Sequence, residues 1–286
     1  MTQQLEVLTA TPVPFDQKGD IALGRFAAQI HRIEPHVQVA FVGGTTGEFP
    51  ALEESERHEL LRIAVDAFGP ARVVAHIGAP STRQVTRLAE SAANLGITRM
   101  ALLTPYYLPC GFAEIHDFYA TIAGRFPAAQ IYAYVFPERT GIDVSPAELG
   151  ELTKIDGVVG AKLSGRPNER FEDYVAAVAP GAHVYSGDDG QYPRFAAAGG
   201  AGIVSGVSSL IPELYGQLTE ALRAGNTAAA EALQEKVLPV VHACGPSITR
   251  LKYGIARRYG EQWGSRMPLP AVPEDVRVVI DALQWT

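Results

Sequence analysis

The sequence predicts a (β/α)₈ barrel of the TIM type, an α/β fold in which eight parallel strands close into one sheet inside a ring of helices, with a C-terminal helical appendage. Three observations carry this. Short β-branched apolar runs alternate with longer stretches rich in Ala, Leu, Glu and Arg, the pattern of strands joined by helical crossovers. The alternation repeats eight times and then stops. The 286 residues suit one barrel with an addition, because such barrels run roughly 200–250 residues as a single domain. An open, doubly wound sheet is the alternative architecture.

The eight strand-like runs are 6–11, 37–42, 72–77, 99–103, 130–135, 158–163, 183–186 and 202–205. Helical stretches at 53–67, 82–95 and 115–125 fall between them. After the eighth run the pattern changes: 212–243 reads as helical throughout, and 248–259 continues that way. Pro268, Pro270 and Pro273 then interrupt the chain before a last helix over 274–284. The chain thus divides into a barrel, 1–211, and a helical extension, 212–286.

Composition excludes several classes of function. Apolar residues make up 47 % of the chain, enough for a large core. The net charge is −7 with no run of Lys or Arg, which argues against nucleic acid as a partner. Cys110 and Cys244 are too far apart in sequence to suggest a disulfide framework or a zinc knuckle. None of the seven histidines makes an HxxxH or HExxH spacing, so neither a metal nor another cofactor is expected. The first 16 residues lack a basic start and an apolar core, and no apolar stretch reaches the ~18 residues of a membrane span. A cytoplasmic enzyme is the expectation.

In such barrels the active site forms where the strands end. Lys162 is the sharpest feature there. It sits in Gly157-Val158-Val159-Gly160-Ala161-Lys162-Leu163, an otherwise uncharged strand-like run. Lysine is rarely buried without a partner or a function. Burial favours a neutral amine, which can attack a carbonyl to form an imine. The second strand runs into Gly44-Thr45-Thr46-Gly47-Glu48, a loop of amides and hydroxyls suited to a carboxylate. Glu48 stands where a phosphate loop would need lysine. Tyr132 and Tyr134 share one face of the fifth strand, and a phenol near a reacting carbon can relay protons. Arg139 follows that strand and could grip a carboxylate. His76, near the end of the third strand, reads as a hydrogen-bonded core histidine. Glycines at 199, 200, 202 and 206 do not spell GxGxxG, leaving a phosphorylated ligand as a remote reading.

Four motifs stand in a fixed order: Gly44-Thr45-Thr46-Gly47-Glu48, Thr104-Pro105-Tyr106-Tyr107, Tyr134 with Pro137, and Gly160-Ala161-Lys162. Through them the chain resembles, nearly end to end, the dihydrodipicolinate synthase / N-acetylneuraminate lyase family of class I Schiff-base pyruvate enzymes. The resemblance implies that Lys162 forms the imine and that Tyr134 relays protons. It implies that Thr45 links Tyr134 to Tyr107 of a neighbouring subunit. It gives the pyruvate carboxylate to Thr45, Thr46 and the Gly47 turn. Arg139 matches the arginine that binds the second substrate, while Gly187 and Val204 match site-lining positions. The implied assembly is a homotetramer, a dimer of dimers. Arg139-Thr140-Gly141 and Gly187-Asp188-Asp189 resemble the synthase branch, which joins pyruvate to aspartate semialdehyde (4-hydroxy-tetrahydrodipicolinate synthase activity). Val135, Leu163 and Leu108 depart from it, where Asn, Glu and Asn are usual. These departures imply an altered polar lining and admit a 2-keto-3-deoxy sugar acid aldolase or dehydratase. A silent barrel that only binds a 2-oxo acid is the reading from another class.

Overall fold

The computed structural model describes residues 5–285. Its strands are β1 (Glu6–Ala10), β2 (Val39–Val42), β3 (Val73–His76), β4 (Arg99–Leu103), β5 (Gln130–Val135), β6 (Val158–Leu163), β7 (His183–Ser186) and β8 (Gly202–Ser205). Each pairs in parallel with the next, and β8 returns to β1, closing the barrel. The last five coincide with the predicted runs. The first three are one or two residues shorter at an end, where strands fray.

Alternation sets which side chains face inward. On β5, Ile131, Ala133 and Val135 join the core beneath the helices, while Tyr132 and Tyr134 point into the barrel. The same rule would fail for β6 without an irregularity. Val158 pairs with Ile131, but Gly160 pairs with Tyr132, so Val159 is an extra residue. Val158 belongs to the outer core, and strict alternation from it would keep Lys162 on that outer face. The bulge shifts the phase and aims Lys162 inward, in register with Tyr134 on one side and Tyr185 on the other. Glycine is required at 160, because a Cβ there would overlap the carbonyl oxygen of His183.

At the opposite end the barrel is closed by polar contacts. Glu6 Oε2 accepts from Arg99 Nη2 at 2.7 Å and from the Tyr185 hydroxyl at 2.8 Å. The helical ring comprises α1 (Leu23–Ile33), α2 (Glu54–Phe68), α3 (Thr82–Asn94), α4 (Phe112–Arg125), the short α5 (Pro137–Thr140), α6 (Pro146–Leu152), α7 (Phe171–Ala177), α8 (Tyr192–Ala197) and α9 (Pro212–Arg223). Then follow α10 (Thr227–Cys244), α11 (Ile248–Tyr259) and α12 (Glu274–Asp281).

Two expectations about the tail need correction. The stretch 212–243 is two helices, not one. Gly225 turns the chain at φ +67°, and the Asn226 side chain caps α10 by accepting the Ala229 amide at 3.1 Å. In addition, α9 packs on β1 and α1, where the barrel's eighth helix belongs. We therefore start the appendage at α10 instead of residue 212. The last helix ends at Asp281, short of 284.

One buried ion pair ties this appendage to the top of the barrel. Glu48 and Lys252 are 0 % and 1 % exposed and bonded to each other. Lys252 Nζ also donates to the Gly264 carbonyl at 2.8 Å. The second Glu48 oxygen accepts the amides of Arg266 at 3.0 Å and Met267 at 2.7 Å. Burial pulls the Lys252 amine below its ordinary range, and Glu48 opposes that shift. Removing one partner of such a pair strands a buried charge at a cost of about 3–5 kcal/mol. Lys252→Met should therefore lower the denaturation midpoint sharply, and adding Glu48→Gln should restore part of the loss. A double variant no more stable than Lys252→Met would show that the charge is not the cause.

Candidate active site

Lys162 ends inside the barrel mouth, 7 % exposed. Its Nζ lies 4.1 Å from the centre of the Tyr134 ring and 4.8 Å from that of Phe41. Among the described residues no carboxylate or carbonyl accepts a hydrogen bond from it. The amine is held against aromatic faces instead of a counter-ion. Tyr134 is itself 1 % exposed. It meets Phe41 and His76 edge-on and stacks on Phe136 at 6.1 Å. Its hydroxyl lies 3.3 Å from Thr45 Oγ1.

Thr45 is placed by the loop after β2. Thr45–Gly47 forms a single 3₁₀ turn, closed by the Gly47 amide on the Gly44 carbonyl at 3.0 Å. Thr45 and Thr46 head that turn, where backbone N–H groups have no intrahelical acceptor. Glu48 then adopts left-handed backbone, φ +56°, uncommon for a residue with a side chain. Its buried pairing with Lys252 holds it there. The glutamate of the loop is thus an anchor for the two threonines.

A cavity of about 770 Å³ opens over these groups. Thr45, Thr46, Tyr134, Arg139, Lys162, Gly187 and Val204 all line it. Val204 does so from within β8. Gly47 lies behind the loop, where a Cβ would sit 3.2 Å from the Thr11 carbonyl, and is not on the cavity wall. Tyr107 is also outside its own chain's cavity: it is 89 % exposed, with φ +84°. Val135 and Leu163 are buried in the outer core, and Leu108 is 71 % exposed, so none of the three alters the cavity lining. Val135 and Leu163 therefore make no polar change to the cavity of their own chain. A second cleft of equal volume lies at the other end of the barrel; its lining has no Lys, Ser, Thr, Cys or Tyr to act as a nucleophile.

His76 is the core histidine expected. It is 2 % exposed and packs on Phe49 at 4.5 Å. Buried Arg57 bonds its carbonyl and approaches Nδ1 at 3.3 Å. Burial first, then the charges of Arg57 and Lys162, hold its pKa well below the ordinary histidine range, so the ring is neutral. Burial also pulls the Arg57 guanidinium down to about 10.

Ser164, Asp189 and Arg250 also line the cavity and were not among the predicted site residues. The first two follow β6 and β7, so the strand-end rule reaches them. Arg250 comes from α11, outside the reach of that rule. Asp189 accepts the Tyr215 hydroxyl at 3.0 Å. Burial pushes its carboxyl up to about 6, against the downward pull of Ser205 and Tyr215. A raised carboxyl pKa adds stability below the unfolded value, near 4, and that contribution is lost as pH rises through about 6. Asp189→Asn keeps the acceptor and removes the titration. Relative to the parent, its melting temperature should rise between pH 4.5 and pH 7.5 (about 1.5 units to either side of 6). A difference independent of pH would place the charge of Asp189 in solvent.

A family model described as the dihydrodipicolinate synthetase family matches residues 3–278. A 4-hydroxy-tetrahydrodipicolinate synthase of Methylococcus capsulatus is 33 % identical over 243 residues, 85 % of this chain and 83 % of the relative. Among solved structures, dihydrodipicolinate synthase DapA-2 of Bacillus anthracis superposes with a TM-score of 0.88 at 27 % identity, covering 99 % and 98 % of the two chains. The sialic acid aldolase of Ruminococcus gnavus shares the fold, with a TM-score of 0.87 at 22 % identity over 97 % of this chain and 93 % of the other. With the barrel closed and the four motifs at its mouth, the chain belongs to the dihydrodipicolinate synthetase family.

Proposed function

We propose that this chain is a class I lyase that carries pyruvate as an imine on Lys162 and joins it to aspartate semialdehyde, the 4-hydroxy-tetrahydrodipicolinate synthase reaction. The observation that carries the reading is the buried Lys162 amine, without a counter-ion and 4.1 Å from the Tyr134 ring. The inertness of Val135 and Leu163 toward the cavity removes the main argument for a sugar acid substrate.

The pyruvate carboxylate lies on the amides and hydroxyls of Thr45 and Thr46, which presents C2 to Lys162 Nζ. The amine adds to C2 and the Tyr134 phenol delivers a proton to the oxygen, which leaves as water. Loss of a C3 proton from the imine gives the enamine. Its C3 attacks the aldehyde carbon, and the new alkoxide takes a proton. Cyclisation of the acceptor's amine onto C2 then frees Lys162. Each proton transfer needs a relay that reaches the buried phenol, and Thr45 Oγ1 at 3.3 Å is its first link.

The next link is Tyr107 of a second copy, in a homotetramer built from dimers. An exposed phenol held at φ +84° is an expensive conformation for an isolated chain, and the adjacent exposed Leu108 adds apolar surface to cover. The enzyme works in the cytoplasm on small molecules and needs no cofactor.

Borohydride added with pyruvate should fix one reduced adduct on Lys162, mapped by peptide mass spectrometry. An adduct elsewhere, or one that persists in Lys162→Ala, would sink the mechanism. Tyr134→Phe should still be trapped, but slowly, with turnover lower by about 10²–10³-fold. Near-normal turnover would make Tyr134 a packing residue. Mixing inactive Lys162→Ala with Tyr107→Phe tests the shared site. Hybrid dimers would carry one intact site each, restoring about a quarter of the parent activity after subunit exchange. No recovery despite exchange would assign Tyr107 a role within its own chain.

A further inference from the structure

The charges around the cavity do not balance locally. Besides the Tyr134 phenol and the Cys244 thiol, five ionisable side chains line it: Glu138, Arg139, Lys162, Asp189 and Arg250. Both carboxylates are already engaged. Glu138 accepts the Arg166 amide at 2.9 Å and lies 3.4 Å from its guanidinium. Burial pushes its carboxyl up, but Arg166 outweighs that and holds it below the usual range. Asp189 takes the Tyr215 hydroxyl. Among the described residues, neither carboxylate pairs with a cation of the cavity, and neither Arg139 nor Arg250 donates a side-chain hydrogen bond to the protein.

The arginines come from different parts of the chain. Arg139 follows β5 and lies over the Phe136 ring at 5.5 Å. Arg250 is half-buried in the first turn of α11, where the helix dipole disfavours a cation. Ser247 caps that turn, accepting the Arg250 amide at 3.4 Å, so the backbone beneath the guanidinium is fixed. A guanidinium that is partly desolvated, unpaired and unfavourably placed on a fixed helix turn is suited to an incoming carboxylate. Pyruvate cannot serve both ends of the site. Its carboxylate is held by the loop after β2, and three carbons fill a small part of about 770 Å³.

We propose that Arg250 is a specificity-determining residue that holds a carboxylate of the second substrate, with Arg139 as the other cation of that subsite. The second substrate is then an aldehyde acid and not a neutral sugar aldehyde. This rests on the imine reading, which fixes where pyruvate lies. It adds that recognition of the acceptor is divided between the barrel and the appendage.

The test uses the full chain with Lys162 capped by borohydride-reduced pyruvate, so that only the second subsite is open. Calorimetric titration compares succinic semialdehyde with butyraldehyde, which has the same chain length and no carboxylate. Succinic semialdehyde should bind with saturation and butyraldehyde at least 10-fold more weakly. Arg250→Gln should weaken the acid by about 10–100-fold, and Arg250→Lys by less, because a point charge remains without the bidentate fork. The guanidinium makes no side-chain bond within the chain, so the fold is not at stake. Equal binding of the two aldehydes, no saturable binding, or an unchanged Kd in Arg250→Gln would overturn the proposal. So would a change confined to sedimentation, which would assign Arg250 to a subunit contact. The same titration on untreated enzyme separates the two readings. Failed trapping with an Arg250-dependent acid preference would overturn the imine reading alone; trapping without that preference would overturn this one alone.

Discussion

The buried pair between Glu48 and Lys252 is the contact on which the barrel mouth depends. An ion pair in such a place is a poor source of stability, because desolvating two charges offsets most of their attraction. Its effect is positional. Glu48 is held in left-handed backbone by three donors, the Lys252 amine and the Arg266 and Met267 amides, and Lys252 in turn donates to the Gly264 carbonyl. That fixes the turn carrying Thr45 and Thr46. The same pair fixes α11, two residues after Arg250. One interaction therefore sets the pyruvate side and the acceptor side of the cavity relative to each other.

The second constraint is the phase of β6. A barrel strand shows one face to the interior and the other to the helices, and the proposed imine chemistry needs Lys162 inside. The residue inserted at Val159 achieves this, and Gly160 makes it possible where β6 crosses close to β7. The result is an amine surrounded by Tyr134 and Phe41 instead of a carboxylate. A counter-ion would have stabilised the ammonium form and opposed nucleophilic attack. Aromatic faces tolerate the cation while leaving the nitrogen lone pair accessible once the proton is lost.

The fold was legible because its signals are local and repeated. Eight apolar runs of strand length separated by amphipathic stretches admit few topologies, and five of the runs matched the strands residue for residue. That Lys162, Tyr134 and Thr45 meet at one cavity was legible because strand ends in such a barrel converge. What failed depended on through-space packing. The split between α9 and α10 rests on one turn at Gly225 inside a long helix-forming stretch. The place of α9 in the barrel layer depends on what it covers. Val135 and Leu163 were expected to alter the polar lining because they depart from the resembled pattern beside two site residues. Strand alternation turns a neighbour of an inward residue outward, so sequence adjacency was the wrong measure.

Arg250 was missed for a different reason. The strand-end rule lists what the barrel offers, but eight of the 27 residues of the cavity wall come from the appendage between Cys244 and Leu251. This division has a physical logic. Imine chemistry requires sub-ångström placement of an amine, a phenol and a carboxylate cradle, and strands with closed hydrogen-bond ladders provide it. Recognition of a second substrate tolerates a looser support and gains from one that can vary without disturbing the ladders. A helix docked by a buried ion pair and by buried Leu251 and Ile255 meets that need, because Arg250 lies on the turn before those anchors. On the proposed reading the acceptor's charge is read from α11 and the loop after β5 together, and the reaction is carried by β5 and β6.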